Sequence, residues 1–186
     1  MTVGVLALQG AFIEHERVLN ELGVSCVELR QASDLKKSYD GIVLPGGEST
    51  VQGKLLQDLG MFDTIKEQIM DGMPVLATCA GLILLASEIE QQSYSYFGTI
   101  PMCVRRNAYG RQLGSFRTTA PVTNIGTVPM TFIRAPYVTQ VGKDVEVLAA
   151  LKDQIVGVRY HNQLAFAFHP ELDEDTSIHQ AFVQLL

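Results

Sequence analysis

The chain has 186 residues, of which 47% are hydrophobic and 18% are charged. This length and composition are typical of one globular domain, which we expect to span residues 1–186. Its formal net charge of −6 and its scattered Lys and Arg residues argue against nucleic-acid binding. No apolar run approaches the roughly 18 residues that a membrane span needs, and the first residues lack a signal-peptide pattern, so we expect no membrane association.

The three cysteines are too few and too widely spaced for a disulfide framework. A reducing, cytoplasmic compartment is therefore the simplest expectation. Neither a Cys-x-x-Cys nor a His-x-x-x-His pairing occurs, so the sequence predicts no metal site.

Short apolar runs and segments of helical periodicity alternate through the first half of the chain. Strands buried on both faces are predicted at residues 3–8, 24–29, 41–44 and 74–78. Helices are predicted at residues 12–22, after a cap at Ser49 or Thr50, at residues 61–70 and at residues 82–89. This alternation predicts an α/β fold with a mostly parallel central sheet covered by helices on both faces, a three-layer sandwich.

The second half has a different composition. Residues 100–168 are rich in Val, Thr, Phe and Tyr, so we expect several short strands, some of them antiparallel. A strand at residues 164–168 would end at His169, and a helix at residues 176–186 would follow, with the acidic residues 173–175 near its positive N-terminus. Turn signals stand at Asn107, at residues 124–126 and at residues 141–143.

The segment around Cys79 has the pattern of a nucleophile elbow. A predicted strand leads into Cys79 and a predicted helix leads out, and the small residues Ala77, Ala80 and Gly81 flank it. The helix N-terminus would favour the thiolate, and the amide of Ala80 would point at an oxyanion formed beside the sulfur. A buried, unreactive thiol is the alternative, and the other two cysteines, which lie inside strand patterns, are assigned to the core.

A thiolate nucleophile usually needs a histidine that accepts and later returns a proton. His169 follows an apolar run and precedes Pro170, so it is expected at a strand end, as Cys79 is. Glu171 could accept an imidazole N–H and fix the tautomer of His169, or it could be a solvated residue of a turn.

The other three histidines are weaker candidates for the base. His161 follows a strand pattern at a predicted turn. His15 stands between Glu14 and Glu16 on the first predicted helix, and His179 lies on the last one. Both are therefore expected on solvated helix faces.

The segment Gly46-Gly47-Glu48 follows the third predicted strand. Adjacent glycines let the backbone approach a ligand closely, so the amides of Gly46 and Gly47 could complete an oxyanion hole with Ala80. An ordinary loop between a strand and a helix is an equally good interpretation of this segment alone. Glu48 could bind the ammonium group of an amino-acid substrate, or it could face water.

Two arginines are candidates for binding a substrate carboxylate. Arg106 belongs to a positively charged turn at residues 105–111, and Arg134 follows Ile133 in an apolar stretch. A buried arginine needs a partner of opposite charge. From these residues alone, a structural salt bridge is the more economical interpretation.

Taken in this order, Gly46-Gly47-Glu48, the elbow at Cys79 and His169-Pro170-Glu171 resemble the motifs of class I, or triad, glutamine amidotransferases. Further segments make the chain similar, over essentially its whole length, to the glutaminase subunits of pyridoxal 5′-phosphate synthase. These segments are residues 4–11, 44–50, 78–81, 106–112, 132–136 and 169–172.

The resemblance implies a flavodoxin-like α/β fold and hydrolysis of L-glutamine to L-glutamate and ammonia, a reaction that needs no metal or organic cofactor. It implies a triad of Cys79, His169 and Glu171, with Gly47 and Ala80 at the oxyanion and Gln9 nearby. The implied glutamine site consists of Gly46, Gly47, Glu48, Arg106, Ile133 and Arg134.

The resemblance also implies a partner, a separate (β/α)₈-barrel synthase subunit. That subunit would receive the ammonia, build the cofactor from ribose 5-phosphate and glyceraldehyde 3-phosphate, and activate the glutaminase on docking. Members of the family usually carry glycine where this chain has Ala77, and alanine is tolerable there if its φ is negative.

Three other functions are alternatives to this one. They are an amidotransferase of another pathway, such as histidine biosynthesis, a non-catalytic regulatory module, and a peptidase-like or chaperone relative on a similar fold. Residues 106–112 and 132–136 favour the pyridoxal pathway, and the intact triad argues against a regulatory module. The Gly-Gly-Glu and His-Pro-Glu segments argue against the peptidase-like relatives.

Overall fold

The computed structural model describes residues 1–106 and 115–186. The predicted turn at Asn107 and most of the 106–112 segment lie outside the described residues. No helix in the described ranges is long and apolar enough to cross a membrane.

Helices and strands alternate along the first half of the described ranges, and strands predominate in the second half. The strands are β1 (Thr2–Leu6), β2 (Ser25–Leu29), β3 (Gly41–Leu44), β4 (Val75–Thr78), β5 (Ala86–Ile89), β6 (Ile100–Arg105), β7 (Ser115–Val122), β8 (Gly126–Ile133), β9 (Tyr137–Val141), β10 (Glu146–Leu151), β11 (Gln154–Tyr160) and β12 (Gln163–Phe166). The helices are α1 (Phe12–Glu21), α2 (Ser49–Asp58), α3 (Phe62–Met70), α4 (Ala80–Leu85) and α5 (Ser177–Val183), with 3₁₀ turns at Ala32–Lys36 and Pro170–Leu172.

The main sheet has the strand order β2-β1-β3-β4-β12-β11-β9-β6-β5, and β10 pairs with β11 outside this path. Neighbouring strands from β2 to β12 are parallel. Antiparallel pairs then join β12, β11, β9 and β6. The order 2-1-3-4 followed by a fifth parallel strand is that of flavodoxin-like folds, so the predicted fold class is confirmed.

Helices cover both faces of this sheet, as two residues of β3 show. Gly41 and Leu44 are three positions apart, so they face opposite sides of the sheet. A Cβ atom on Gly41 would meet Phe182 of α5. On the other side, a Cβ atom on Gly81 of α4 would meet the side chain and the carbonyl group of Leu44. The predicted three-layer arrangement is therefore present.

One predicted element is wrong. Residues 82–89 were expected to form one helix, but α4 ends at Leu85 and the chain continues as β5, which pairs in parallel with β6. Every residue of α4 is buried. An apolar run without a polar face has no periodicity that could separate its helical part from its extended part.

Strands β7 and β8 form a separate two-stranded sheet whose turn has positive φ at Asn124 (61°) and Gly126 (122°), as the turn signal predicted. This hairpin is fastened to the segment that follows β12. The amide of His169 donates to the carbonyl oxygen of Thr131 at 2.8 Å. Asp173, in the acidic segment just before α5, is buried and accepts a hydrogen bond from the Thr131 hydroxyl at 3.1 Å.

Four neighbouring strands bring their carboxyl ends to the same edge of the sheet. Gln9 follows β1, Gly46 follows β3, Cys79 follows β4 and His169 follows β12. In open α/β sheets this edge is where ligands bind. The fold thus collects the candidate residues from four separate parts of the sequence.

Candidate active site

Cys79 stands at a sharp turn between β4 and α4, as the elbow pattern predicts. Its φ of 47° is in a region that side-chain-bearing residues rarely adopt, and such strain concentrates at functional sites. Its amide donates to the carbonyl oxygen of Phe166 at 2.8 Å, which fixes the turn to β12. At Gly81 a Cβ atom would overlap the carbonyl oxygen of Leu44, so only glycine lets α4 pack this closely.

Ala77 is accommodated without strain at the position where the family usually has glycine. It lies within β4, fully buried, and pairs with Leu44 on one side and Ala165 on the other. Its φ is not positive. The backbone therefore does not require glycine at this position.

His169 and Glu171 form a close pair. Pro170 opens the 3₁₀ turn that carries Glu171, and the Nδ1 of His169 lies 2.7 Å from Oε1 of Glu171. Burial lowers the pKa of His169, but hydrogen bonds to Cys79 and Glu171 and their negative charges outweigh burial and raise it to about 10. The site therefore favours the protonated, imidazolium form of His169.

The predictions for His15 and His179 are wrong, because both side chains are completely buried. His15 Nε2 lies 3.1 Å from Oγ1 of Thr78 and 3.4 Å from Oε2 of Glu171. His15 Nδ1 lies 2.9 Å from Nε2 of His179. The two histidines thus extend the row of polar groups that begins at Cys79.

The loop after β3 packs against the imidazole of His169. A Cβ atom on Gly46 would overlap Cε1 of His169, so the ring occupies the space that a side chain would need. The amide of Gly46 donates to Oγ1 of Thr78 at 3.0 Å, and its carbonyl oxygen accepts from the amide of Ala11 at 3.0 Å. Both bonds fix the loop relative to the elbow.

Two glutamines support the same loop, and the role of Gln52 was missed in the sequence. Gln52 is fully buried, and its Nε2 donates to the carbonyl oxygens of Gln9 at 2.9 Å and Pro45 at 3.2 Å. Oε1 of Gln9 accepts from the amide of Glu48 at 2.7 Å. A signal was present, since Gln52 stands four residues before the buried Leu56 on the apolar face of α2.

A cavity of about 460 Å³ opens beside Cys79, a size that suits a small ligand. Of the residues named from the sequence, Gly47, Glu48, Cys79, Arg106, Ile133, Arg134 and His169 line it, together with Gln9, Ser49, Ile83 and Ser115. Gly46, Ala80 and Glu171 do not line it. Gly46 lies under the His169 ring, Ala80 is the buried first residue of α4, and Glu171 is buried behind His169.

Charged side chains of both signs face this cavity. Arg106 is half-buried, whereas Arg134 and Glu48 are exposed. The structural salt bridge that was the alternative for the arginines is absent, because neither forms an ion pair within residues 1–106 and 115–186. Arg134 also has a positive φ of 44°. These charges are therefore available to a ligand that carries both a carboxylate and an ammonium group.

The remaining cysteines and His161 lie away from the cavity. All three cysteines are free thiols. Cys26 and Cys103 are only half-buried, less than a core position requires, and burial raises the pKa of Cys26 to about 11. His161 is exposed in the turn that precedes β12, at the opposite end of the strand from His169.

The chain is similar in sequence to several curated proteins. It is 60% identical over 183 residues to "Pyridoxal 5′-phosphate synthase subunit PdxT" of Desulfitobacterium hafniense, covering 98% of this chain and 92% of that protein. Proteins of the same name from Methanocorpusculum labreanum and Streptococcus pneumoniae are 58% and 53% identical. Those matches cover all of this chain and 98% and 97% of the relatives.

Solved structures agree with this similarity. A crystal structure described as a glutamine amidotransferase superposes with a TM-score of 0.93 at 42% identity, covering 98% of this chain and 97% of that one. A glutamine amidotransferase from Thermotoga maritima superposes with a TM-score of 0.63 at 16% identity, covering 99% of this chain and 81% of that one, which shows the shared fold alone. The profile of the SNO glutamine amidotransferase family matches residues 5–186, and the chain belongs to that family.

Proposed function

We propose that this chain hydrolyses L-glutamine to L-glutamate and ammonia with Cys79, His169 and Glu171 as its catalytic triad. The observation that carries the proposal is the row of side chains that ends at the cavity with His169 and Cys79. Glu171 holds Nδ1 of His169 at 2.7 Å, and Cys79 lies close enough to His169 to raise the pKa of its imidazole. This is the arrangement of nucleophile, base and orienting acid that acyl transfer requires.

The reaction follows from the charges of these groups. The Cys79 thiolate attacks the side-chain amide carbon of glutamine and forms a tetrahedral oxyanion. The His169 imidazolium gives its proton to the leaving nitrogen, so ammonia departs and a glutamyl thioester remains on Cys79. The neutral imidazole then takes a proton from water, which attacks the thioester, and glutamate leaves while the thiolate is restored.

Substrate recognition uses the unpaired charges of the cavity. The α-carboxylate of glutamine would bind the guanidinium groups of Arg106 and Arg134, and the α-ammonium group would bind Glu48. Ile133 also lines the cavity, and its carbonyl oxygen lies 3.9 Å from Sγ of Cys79. Glutamine fits this set because its two charged groups and its amide lie at opposite ends of the molecule.

The oxyanion would be stabilised by the amides of Gly47 and Ala80. Ala80 begins α4, where backbone N–H groups carry a partial positive charge. Gly47 belongs to the loop that Gln9, Gln52 and Thr78 hold against the elbow. Each well-placed amide donor contributes a few kcal/mol to the transition state.

The ammonia would pass to a partner, the synthase subunit of pyridoxal 5′-phosphate synthase, in a hetero-oligomer. The names of the relatives, identical at 53% to 60% of positions, support this assignment. The partner would be a (β/α)₈ barrel that makes pyridoxal 5′-phosphate from ribose 5-phosphate and glyceraldehyde 3-phosphate. Docking of that subunit would activate the glutaminase.

The direct test is a glutaminase assay of the wild type and Cys79→Ala, each with and without the cognate synthase subunit. The wild-type complex should release glutamate and ammonia in equal amounts, and Cys79→Ala should release neither above background. Turnover by Cys79→Ala would refute the assignment of the nucleophile. Equal wild-type rates with and without the synthase subunit would refute activation by that partner, while leaving the hydrolase function intact.

A further inference from the structure

Two buried histidines lie behind the proposed triad and take no part in the proposed reaction. His15 comes from α1 and His179 from α5, and neither side chain is accessible to solvent. His15 Nε2 lies 3.4 Å from Oε2 of Glu171, the carboxylate oxygen that His169 does not use. Glu171 is fully buried, and Oε2 has no hydrogen-bond partner among the described residues. The Nε2 of His15, which is hydrogen-bonded to Oγ1 of Thr78 at 3.1 Å, therefore lies against a buried oxygen that needs a donor.

The neighbours of His15 determine which of its nitrogens carries the proton. Nε2 lies beside two oxygens, Oγ1 of Thr78 at 3.1 Å and the carboxylate oxygen Oε2 of Glu171 at 3.4 Å, and the carboxylate can only accept, so a proton on Nε2 suits both neighbours. Nδ1 is then an acceptor, and Nε2–H of His179 at 2.9 Å supplies its hydrogen bond. The opposite tautomer would point a lone pair at the negative charge of Glu171.

Burial favours the neutral form of both histidines in the folded chain. Burial lowers the pKa of His15. The negative charge of Glu171 raises this pKa, whereas the positive charge of His169 lowers it further. Burial also lowers the pKa of His179, to about 3. A neutral imidazole that turns its N–H towards the free oxygen of Glu171 stabilises that oxygen without neutralising it, so the negative charge remains available to the His169 imidazolium.

We propose that His15 is a positioning residue of the triad: its Nε2–H, which is hydrogen-bonded to Thr78, also lies against the second oxygen of Glu171 and stabilises it electrostatically, and His179 fixes the tautomer in which it does so. His15 does not touch the cavity and acts only through Glu171. Without it, one buried oxygen of Glu171 would lose its closest donor and the carboxylate could rotate away from Nδ1 of His169. This inference rests on the proposed function, since it assigns a role within the same triad.

Two substitutions at His15 separate positioning from mere space filling. Leu fills much of the volume without a donor, whereas the amide nitrogen of Gln can occupy the place of Nε2. His15→Leu should lower kcat of the glutaminase complex about 10- to 100-fold with little change in KM, as loss of a supporting hydrogen bond does at other sites. His15→Gln should recover most of that loss. His161 is an exposed histidine, so His161→Leu serves as the control and should have the kcat and KM of the wild type.

A double-mutant cycle with Glu171→Gln tests whether His15 acts through Glu171. In the Glu171→Gln background, adding His15→Leu should lower kcat by less than about threefold, because the carboxylate that His15 stabilises is gone. Equal losses in both backgrounds, or equal losses for Leu and Gln at position 15, would overturn the proposal.

The rate of Cys79 alkylation by iodoacetamide, followed by peptide mass spectrometry between pH 5 and 9, provides a readout that needs no glutamine turnover. His15→Leu should shift this profile to higher pH, because a loosened Glu171 stabilises the imidazolium–thiolate pair less. An unshifted profile would contradict the positioning role. If the wild-type complex has no glutaminase activity but the shift is present, the proposed function fails and the positioning role stands.

Discussion

His169 is the residue on which the contacts of the site converge. Glu171 binds its Nδ1, Cys79 lies beside it and helps to raise its pKa, and its main-chain amide is bonded to Thr131 of the hairpin. The remaining side of the ring lies against the backbone of Gly46. The orientation of the imidazole is therefore set by one residue from each of four different elements or loops.

Gly46→Ala is predicted to displace His169. The added methyl group would overlap Cε1 of the imidazole, and a displacement of about 1 Å in a catalytic group can lower the rate about 100-fold. kcat/KM of the glutaminase complex should fall by about that factor while the circular dichroism spectrum is retained. Gly60→Ala is a control away from the site: a Cβ atom there has no neighbour within 4 Å, and its φ of 64° means that the substitution strains the backbone without touching His169. An activity of Gly46→Ala within about threefold of that control would contradict this packing.

The residues of the triad could be predicted from the sequence, but those that support it could not. Cys79 and His169 were recognisable because each ends a predicted strand. His15 was assigned to solvent from its acidic neighbours Glu14 and Glu16, although the side of a helix is decided by residues three and four positions away. Val18 and Leu19, which stand at those spacings, are buried, and they place His15 inside.

At the scale of elements, α2 holds the loop after β3 in place through one side chain. Gln52→Leu is predicted to loosen this loop, because leucine cannot donate to the carbonyl oxygens of Gln9 and Pro45. Leaving buried acceptors unpaired costs about 1–3 kcal/mol. We expect the urea midpoint and kcat/KM both to fall. Gln57→Leu, an exposed glutamine of the same helix, should change neither, and equal effects of the two substitutions would contradict the support role.

The elements themselves were predictable to different degrees. Strands of the parallel half were recognisable because their apolar runs are short and end at glycine or at polar residues. The boundary between α4 and β5 was not, since residues 82–86 are uniformly apolar and buried. That segment becomes extended at Ala86 because β6 offers a strand edge for pairing, which is a tertiary effect that local sequence does not encode.

For the whole molecule, the buried histidines make stability depend on pH in two opposite ways. The pKa of His179 is lowered to about 3 by burial, so below its ordinary value of 6.5 the unfolded chain takes up a proton that the folded chain does not. The pKa of His169 is raised to about 10, and the stability it contributes is lost as pH rises from 6.5 towards that value. We therefore expect stability to decline on both sides of about pH 6.5.

His179→Gln should flatten the acid side of this profile. Glutamine can keep a donor near Nδ1 of His15 but does not titrate, so up to about 1.4 kcal/mol per pH unit of the decline below 6.5 should disappear. Urea unfolding at pH 7.0 and pH 5.5 measures the difference. His161→Gln, at an exposed position, should leave the decline as in the wild type. An unchanged decline in His179→Gln would contradict the neutral, buried state assigned to this histidine.

The central claim, that Cys79 attacks the side-chain amide of glutamine, is tested most directly by a glutamine analogue with an electrophilic diazoketone in place of that amide. Incubated with the complex of this chain and its cognate synthase subunit, the analogue should label one cysteine per chain. Peptide mass spectrometry should locate the label on Cys79, and excess L-glutamine should prevent it. A label on Cys26 or Cys103, or labelling of Cys79 that glutamine does not slow, would contradict this claim.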